Sequence, residues 1–388
     1  MLERGNSYSY RSSRRYVPTT ALQPASSTDI NLILHRNLVR ILIFSLVKHL
    51  MIRTFRTLSR KNISTIMTTT MKAAVIYQAG GPEVFKIEQL PIPTPNPGQV
   101  LIQVKAFGLN RSELFTRQGH SPGVKFPRVL GIEATGIVAS CPGNEFSKGD
   151  VVVSAMGGMG RDFDGGYAEY TCVSATNVQV IKTELPWEVL GAMPEMLQTS
   201  WGALFKALRL CQGERLLIRG GTSSIGLAAA AIARNRGAFV VSTSRRADRE
   251  AFLKESGANE VLVDDGTVAG KIGEKFDRVL ELIGTTTLKD SLMCVKEGGS
   301  VCMAGIVGNK WTFDEFSPME AIPMAVNLTT YSGGPDEFMA TPLEELAKQV
   351  KEGKLKIQVG KVFKLDEIVE AHRVMEENSA GGKIVVLT

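Results

Sequence analysis

Hydrophobic and polar positions change their pattern partway along the 388-residue chain. After residue 70, short runs alternate apolar and polar side chains, among them Met71–Tyr77, Val84–Leu90 and Val100–Ala106, with Gly and Pro between the runs. Alternation over a few residues is typical of half-buried strands, and closely spaced strands with glycine turns indicate a barrel or a sandwich. We therefore predict an all-β, barrel-like N-terminal domain.

A second pattern begins near Arg215, where short apolar runs alternate with helical stretches. The apolar runs are Arg215–Ile218, Ala238–Ser242, Val261–Val263, Arg278–Ile283, Ser300–Ala304 and Leu328–Tyr331. Strands that alternate with helices form a parallel sheet covered on both faces, so we predict a doubly wound α/β domain. The elements expected beyond it are helices over Leu343–Glu352 and Leu365–Glu377, a strand around Val362 and a closing strand, Lys383–Leu387.

A glycine-rich turn joins the first of these strands to an alanine-rich helix from about Ile225 to Arg236. The turn is Gly220-Gly221-Thr222-Ser223-Ser224-Ile225-Gly226. Free N–H groups and the positive end of the helix dipole converge at such a turn, and small side chains let an anion approach. We predict that residues 220–225 bind the phosphates of a nucleotide. Because serines replace the middle glycine of the usual motif, a close-packed crossover without a ligand is the alternative.

The end of the next strand predicts which nucleotide binds. The chain there continues Ser242-Thr243-Ser244-Arg245-Arg246. An acid at this place would hydrogen-bond a ribose 2′-hydroxyl, whereas an arginine accommodates a 2′-phosphate. Ser244, Arg245 and Arg246 therefore predict NADP(H) rather than NAD(H) as the cofactor. The nearby acid, Asp248, is expected in the first turn of the following helix.

Positive charge is concentrated before residue 71. Residues 1–70 contain eleven Lys or Arg and two Asp or Glu, a net charge of +9, so residues 71–388 carry −3 of the chain's total of +6. The basic balance is therefore no argument for a nucleic-acid-binding core. An Arg-rich, Ser-rich, acid-poor leader is typical of a transit peptide, and its longest apolar stretch is too short to span a bilayer. A translation start at Met67 or Met71 is the alternative. We expect a disordered leader and a cytoplasmic or mitochondrial location.

The cysteines give no sign of a metal site or a disulfide framework. The five of them stand at Cys141, Cys172, Cys211, Cys294 and Cys302. They form no C-x-x-C pair and no cluster with His at the spacing of metal ligands. Free thiols in an intracellular protein are the simplest interpretation.

Motifs spread over residues 71–388 carry a resemblance to a known family. They are Met71-Lys72-Ala73, Gly108-Leu109-Asn110-Arg111-Ser112-Glu113, Gly131-Ile132-Glu133-Ala134-Thr135-Gly136, Gly149-Asp150-Val151-Val152, Gly165-Gly166-Tyr167-Ala168-Glu169-Tyr170, Ala371-His372-Arg373 and Gly381-Gly382-Lys383-Ile384-Val385. With the glycine-rich turn, these motifs resemble the medium-chain dehydrogenase/reductase superfamily, in its zinc-independent quinone oxidoreductase (zeta-crystallin-like) branch. The resemblance implies a GroES-like β-barrel catalytic domain (71–190), a Rossmann NADP-binding domain (191–335), a C-terminal return to the catalytic domain (336–388) and a homodimer.

Two positions depart from the zinc alcohol dehydrogenases of that superfamily. Asn110 stands where those enzymes place a zinc-binding Cys, and Gly131-Ile132-Glu133 stands where they have Gly-His-Glu. Without these ligands we predict no metal, and hence no Lewis acid to assist the oxidation of an alcohol. The resemblance then implies hydride delivery from NADPH to a carbon activated by conjugation, in a quinone or an α,β-unsaturated carbonyl compound.

The resemblance also implies roles for three side chains. Asn110 is expected beside the nicotinamide and the substrate, and a helix-capping asparagine is the alternative. Thr199 is expected near the nicotinamide at the start of a linking helix, with an ordinary N-cap as the alternative. Lys383 is expected to contact the cofactor, and a solvated lysine beside an edge strand is the alternative.

The substrate pocket is predicted from apolar side chains. The apolar side chains proposed to line it are Phe115, Phe126, Met156, Met159 and Trp311, with Tyr331-Ser332-Gly333-Gly334 near the cleft. Phe115 and Ser121 stand near the place where some relatives have a tyrosine, so the proton donor is left open between a side chain and water.

A mitochondrial enoyl-thioester reductase and a cofactor-binding protein with little turnover are the alternative functions. No nucleic acid and no membrane span is predicted.

Overall fold

Residues 69–388 are the part of the chain that the structure, a computed structural model, describes. The predictions about the basic leader fall on residues 1–68 and lie outside this range. The first strand of the described range begins at Thr70. Among the described residues, none of the helices combines the length and the apolar content that crossing a bilayer requires.

The described residues form β-strands, α-helices, short 3₁₀ helices and a π-helical turn. The strands are β1 (Thr70–Ile76), β2 (Lys86–Pro91), β3 (Gln99–Gly108), β4 (Arg128–Val129), β5 (Glu133–Ser140), β6 (Val151–Ala155), β7 (Tyr170–Ser174), β8 (Gln179–Val180), β9 (Arg215–Arg219), β10 (Phe239–Ser244), β11 (Glu260–Val263), β12 (Phe276–Glu281), β13 (Val295–Met303), β14 (Asn327–Thr330), β15 (Val359–Lys364) and β16 (Lys383–Leu387). The α-helices are α1 (Arg111–Arg117), α2 (Trp187–Leu190), α3 (Pro194–Trp201), α4 (Ser224–Asn235), α5 (Glu250–Glu255), α6 (Thr285–Met293), α7 (Pro318–Ala321), α8 (Pro335–Ala340), α9 (Leu343–Lys351) and α10 (Ile368–Glu376).

The first lobe is the predicted GroES-like β-barrel. Strand β1 pairs antiparallel with β2 and β4, and a larger sheet has the order β15-β16-β3-β5-β6-β8, with β7 also paired to β3. Alternate residues of β3, such as Val100, Ile102 and Val104, are buried in the barrel core. The last strand, β16, pairs with β3, so the C-terminal segment is part of the barrel sheet.

The second lobe is the predicted doubly wound domain. Its six parallel strands have the order β11-β10-β9-β12-β13-β14, which is the 3-2-1-4-5-6 order of dinucleotide-binding folds when β9 is counted first. Most strand bounds lie within two residues of the prediction. Strand β13 differs, because it begins at Val295 and passes through Gly298-Gly299, where the pairing with β12 shifts register. Glycine inside a strand often marks a bulge, and these two glycines lie at an irregularity of the ladder.

A shared apolar core fixes the two lobes against each other. One continuous cluster contains Val153 and Val385 of the barrel, Leu197 and Leu204 of the linking helices, and Ile218 of the parallel sheet. The segment after α3 continues as a π-helical turn over Gly202–Ala207. Because buried side chains of both lobes pack in this cluster, the carboxyl ends of the parallel strands face the barrel at a fixed distance.

Candidate active site

A cleft with a volume of about 550 Å³ runs between the barrel and the carboxyl ends of the parallel strands. Its walls include barrel residues 109–112 and 115 and nucleotide-lobe residues 222–225 and 243–245. Strands β9 and β12 lie side by side although they are not consecutive. The cleft therefore lies at the topological switch point, where open α/β sheets bind their ligands.

The glycine-rich turn has the tight geometry that its sequence predicts. Gly220 has a φ of +84°, and a Cβ on Gly221 would lie 2.9 Å from the Cβ of Ser242. A Cβ on Gly226 would lie 2.6 Å from the Gly220 carbonyl oxygen. Ser223 begins helix α4 as its N-cap: its Oγ donates to the Gly220 carbonyl at 2.7 Å and accepts from the Gly226 N–H at 3.1 Å. Ser223, one of the two serines that replace the middle glycine of the usual motif, thus closes the turn.

Three backbone N–H groups of this turn face the cleft without a protein partner. Within residues 69–388, the N–H groups of Thr222, Ser224 and Ile225 make no hydrogen bond, and all three residues line the cleft. Helix α4 follows directly, so its positive dipole end adds to these donors. The turn therefore fits the diphosphate of a dinucleotide. Of the predicted residues 220–225, Gly221 alone is not in the cleft wall, and it acts by allowing close packing.

The two arginines after β10 have different surroundings. Arg245 lines the cleft together with Ser244, and it forms no ion pair with any described residue. Arg246 lies outside the cleft wall, and its Nε donates to Asp248 Oδ1 at 2.9 Å. The Ser244 hydroxyl accepts from the Arg246 backbone N–H at 3.1 Å. Arg245 is therefore the arginine at the cleft, whereas Arg246 pairs with the acid two residues further on, and the contact of either with a 2′-phosphate stays a prediction.

A buried polar cluster lies at the barrel end of the cleft. Lys383 Nζ is 2.5 Å from Asn110 Oδ1, 3.1 Å from Glu133 Oε1 and 3.5 Å from Glu195 Oε2. Lys383 is 2% exposed and begins β16, which lies between β15 and β3. The interpretation as a solvated lysine beside an edge strand is therefore wrong. Burial alone would lower the pKa of Lys383, but the carboxylates of Glu133 and Glu195 raise it above its usual value.

Asn110 is a helix N-cap residue that also lines the cleft, and its place beside the nicotinamide stays a prediction. It precedes α1 as the N-cap residue, and its backbone N–H donates to Glu113 Oε2 at 2.6 Å. Its side chain also lines the cleft, where Nδ2 donates to Glu133 Oε1 at 2.9 Å. The amide is thus held from both ends, by Lys383 on the oxygen and by Glu133 on the nitrogen.

Three acids support this cluster, and sequence reasoning assigned none of them. Glu133 Oε2 accepts from the Glu195 N–H at 2.8 Å, and Glu113 Oε1 accepts from the Ile132 N–H at 2.9 Å. Burial raises the pKa of Glu113 to about 8 and also raises the pKa of Glu133. The sequence signal for these acids was a carboxyl group inside a motif that is otherwise apolar and rich in glycine. Such a motif is buried, and a buried carboxyl group needs a partner.

Thr199 lines the cleft, but not at the start of its helix. It is the sixth residue of α3, so the N-cap interpretation is wrong. Its Oγ1 donates to Glu195 Oε1 at 2.8 Å, one helical turn earlier. Both side chains line the same wall of the cleft. The hydroxyl is therefore held by an acid that also belongs to the buried cluster.

The substrate end of the cleft is apolar in part. Phe115, Met156 and Trp311 line it, and the rings of Phe115 and Trp311 meet edge to face with centroids 4.7 Å apart. Met159 is instead buried in the barrel core, and Phe126 packs against that core, so neither is part of the cleft wall. Residues 331–333 line the cleft as expected, whereas Gly334 does not.

The donors at the barrel end do not fit a zinc ion. Zinc in proteins is bound by thiolate, imidazole or carboxylate groups in a tetrahedral arrangement. Here the ammonium of Lys383 occupies the space between the oxygens of Asn110, Glu133 and Glu195. In the described range, no group of three or more His, Cys, Asp and Glu side chains is arranged to hold a metal.

Comparison with known proteins gives concordant matches. Residues 96–184 match the model of the alcohol dehydrogenase GroES-like domain, and residues 256–386 match that of a zinc-binding dehydrogenase. The quinone oxidoreductase of Pongo abelii is 28% identical over 333 residues, which are 82% of this chain and 98% of that protein. The acryloyl-coenzyme A reductase of Sulfurisphaera tokodaii is 24% identical over 345 residues, 81% of this chain and 99% of that protein. A mycobacterial structure complexed with NADPH matches with a TM-score of 0.73 and 26% identity, covering 82% of this chain and all of that one.

Proposed function

The chain belongs to the medium-chain dehydrogenase/reductase superfamily, in its quinone oxidoreductase branch, and on that premise we propose its reaction. It is an oxidoreductase with a nicotinamide cofactor. We propose that it reduces a quinone or an α,β-unsaturated carbonyl compound with NADPH and without a metal. The observation that carries the proposal is the single cleft that joins the glycine-rich turn and Arg245 to Asn110 and Thr199. A dinucleotide bound along it would bring its two ends to these two groups of residues.

The nucleotide lobe provides the binding contacts in this proposal. Bound NADPH supplies a hydride to the acceptor, which also takes up one proton, so that an enone becomes a saturated carbonyl compound, a quinone becomes a hydroquinone, and NADP⁺ is released. The free N–H groups of Thr222, Ser224 and Ile225 bind the diphosphate. Arg245, which has no acidic partner among the described residues, binds the 2′-phosphate.

The barrel lobe orients and polarises the acceptor. The Asn110 amide has one short bond from Nδ2, to Glu133, and its other contacts from that atom are 3.4 and 3.5 Å long. The second Nδ2 hydrogen has only these longer contacts, and we propose that it donates to the carbonyl oxygen of the acceptor. Lys383 lies 2.5 Å from the oxygen of the same amide, and its positive charge strengthens the amide as a donor. A preorganised donor of this kind stabilises the negative charge that develops on the acceptor oxygen.

Thr199 and the apolar side chains complete the reacting end. Glu195 fixes the Thr199 hydroxyl beside the place proposed for the nicotinamide. Phe115, Met156 and Trp311 form an apolar wall that limits access of water to this end. Water at the mouth of the cleft is the proposed source of the proton.

A thioester acceptor is the second candidate, favoured by the similarity to the acryloyl-coenzyme A reductase. Reduction of an enoyl thioester uses the same hydride and proton as reduction of an enone, so the cleft accommodates both proposals. The two candidates differ in what lies beyond the carbonyl group. Kinetics with matched acceptors therefore separate them.

The test is the loss of NADPH absorbance with phenanthrenequinone, a short enone and a crotonyl thioester as acceptors. We expect turnover with at least one of them and a decrease in kcat of about a hundredfold for Asn110→Ala, the loss that removal of a preorganised oxyanion donor causes. Asn96→Ala, which changes an exposed asparagine of the turn before β3, is the matched control. Tight NADPH binding without turnover of any acceptor would instead favour a cofactor-binding protein.

The assembly and the location are proposals too. Strand β14 forms one edge of the parallel sheet, and Met319 and Met324, just before it in the chain, are 93% and 75% exposed. We propose that a second copy of the chain pairs with this edge in a homodimer, since unpaired strand edges and exposed apolar side chains favour association. Light scattering on the purified protein tests this. A cytoplasmic or mitochondrial location stays a prediction.

A further inference from the structure

A second cavity, with a volume of about 520 Å³, opens beside the cleft. It lies between the loop His120–Val124 and the segment that contains Gly158, Arg161 and Asp162. Arg161 and Trp311 line both cavities, so the two spaces meet at these side chains. A ligand that reacts in the cleft but is longer than the cleft would extend past Arg161 and Trp311 into the second cavity.

Arg161 differs from the other arginines at this end of the barrel. Its guanidinium forms neither an ion pair nor a hydrogen bond with any described residue, and its Nε is buried without a partner, as the Nε atoms of Arg117 and Arg128 are. By contrast, Arg117 binds Glu376, Arg128 binds Asp164, and Arg111 donates to Asn309. A partly buried cation that lacks a partner is costly unless a ligand provides one.

The segment that carries Arg161 is fixed by close backbone packing. A Cβ on Gly160 would lie 2.7 Å from the Gly131 backbone nitrogen, and the Arg161 N–H donates to the Gly158 carbonyl at 3.1 Å. The neighbouring acid, Asp162, forms no ion pair with a described residue, and its Oδ2 lies 2.6 Å from the place of a Cβ on Gly158. The backbone at Arg161 is thus fixed beside the junction of the cavities, and the guanidinium forms no ion pair with the adjacent acid.

The position of Arg161 separates it from the nucleotide phosphates. Those phosphates are matched by the free N–H groups of Thr222, Ser224 and Ile225 and by Arg245, all on the nucleotide lobe. Arg161 lies on the barrel lobe, in the same wall as Phe115 and Met156. An anion at Arg161 therefore belongs to the acceptor and not to the cofactor.

We propose that the acceptor carries an oxyanion, a carboxylate or a phosphate, and that Arg161 binds it at the junction of the two cavities while the tail passes Trp311. This inference rests on the proposed function, since it names the acceptor class of the same cleft. Arginine is suited to the role because its planar fork binds two oxygens of a carboxylate or phosphate at once. The exposed aromatic face of Trp311, which is 52% exposed, would cover the apolar part of the tail.

Matched acceptor pairs test the proposal on Arg161→Gln. The first pair is trans-4-oxopent-2-enoate and its methyl ester, and the second is crotonyl-coenzyme A and the phosphate-free crotonyl thioester of N-acetylcysteamine. We expect kcat/KM to fall about tenfold or more for the charged member of at least one pair and to change less than about twofold for the neutral members. Arg161→Lys should retain part of the preference, because it keeps the charge without the fork. Arg234→Gln, an equal charge change on the exposed end of α4, is the control.

The two pairs also identify the source of the anion. A loss confined to the oxopentenoate identifies a carboxylate, and a loss confined to crotonyl-coenzyme A identifies a phosphate. Equal losses for charged and neutral members, or no loss for either, would overturn the proposal. If no acceptor is reduced, the proposed function fails, and calorimetric titration of glutarate and butyryl-coenzyme A into NADP⁺-loaded protein decides the inference. Binding that Arg161→Gln weakens about tenfold supports an anion site, and binding that the substitution leaves unchanged rejects it.

Discussion

Lys383 and Glu133 form an ion pair at the floor of the cleft, with 3.1 Å between Nζ and Oε1 and at most 2% of either side chain exposed. Lys383 begins β16 and Glu133 begins β5, so the pair joins the C-terminal strand to the middle of the barrel sheet. Gly108 leaves the room for it, since a Cβ there would lie 2.3 Å from Lys383 Cε and 2.5 Å from Glu133 Oε1. The ends of three strands thus meet around two buried charges.

Removing one charge of this pair should strongly destabilise the protein. We expect Lys383→Met to lower the free energy of unfolding by about 3 kcal/mol or more, because Glu133 would remain buried without its cation. Urea unfolding followed by circular dichroism measures the change. The matched control is Lys296→Met, which removes a partly exposed lysine from its ion pairs with Glu274 and Asp277 and should cost about 1 kcal/mol or less.

The double substitution Lys383→Met with Glu133→Gln provides a second check. It removes both charges, so its cost should be smaller than the sum of the two single costs. Strictly additive effects would mean that the two side chains do not stabilise each other, contrary to the geometry.

Glu113 should make the stability depend on pH. Burial raises its pKa in the folded protein to about 8, from an ordinary value of 4.5. The folded state therefore holds a proton that the unfolded chain releases above about pH 4.5, so the stabilisation is complete below that pH and is lost as the pH rises towards 8. We expect the urea midpoint of the wild type to fall over this range and the slope to be flatter in Glu113→Gln.

The pH experiment has a matched control in Glu297→Gln, which changes an exposed acid of β13. This variant should keep the slope of the wild type. A slope that is the same in Glu113→Gln would mean that Glu113 is ionised in the folded protein, as its two backbone N–H donors favour.

The cofactor end of the site could be predicted from sequence because its determinants are local. The apolar strand, the glycines and the alanine-rich helix follow one another within residues 215–236, and each restricts the backbone by itself. The surroundings of Arg246 are also local, since Asp248 lies in the next turn, as expected, and accepts from its guanidinium. When the residues after a strand are used to predict NADP(H) or NAD(H), an acid two residues from an arginine should be considered as its ion-pair partner.

The barrel end of the site could not be predicted in the same way. Lys383, Glu133 and Glu195 come from distant parts of the chain, and the pairing of β3 with both β16 and β5 and the packing of α3 bring them together. Nothing in the run before β16 distinguishes a buried lysine from a solvated one. The position of Thr199 was within reach, because Pro194 at the first position of α3 is a typical helix start.

Arg245 should determine the preference for NADPH. We expect Arg245→Ala to weaken NADPH binding by about tenfold to a hundredfold and NADH binding by less than about twofold, because one charge-assisted contact with the 2′-phosphate contributes about 1.5–3 kcal/mol. Arg246→Ala should have a smaller effect, since Asp248 already binds that guanidinium. Fluorescence titration of both nucleotides measures the constants. Equal losses for NADPH and NADH in Arg245→Ala would remove the basis for the phosphate contact.

Gly226 should be required for the shape of the phosphate turn. A Cβ at this position would lie 2.6 Å from the Gly220 carbonyl oxygen and 2.9 Å from the Gly221 Cα, and these backbone atoms have no flexible side chain that could move aside. We therefore expect Gly226→Ala to lower the free energy of unfolding by about 1–3 kcal/mol, despite the better helix propensity of alanine, and to weaken NADPH binding. Gly270→Ala is the control, because a Cβ there meets nothing within 4 Å. Unfolding and nucleotide titration on both variants measure the effects, and a Gly226→Ala protein as stable as the control, with unchanged NADPH affinity, would mean that the turn relaxes without cost.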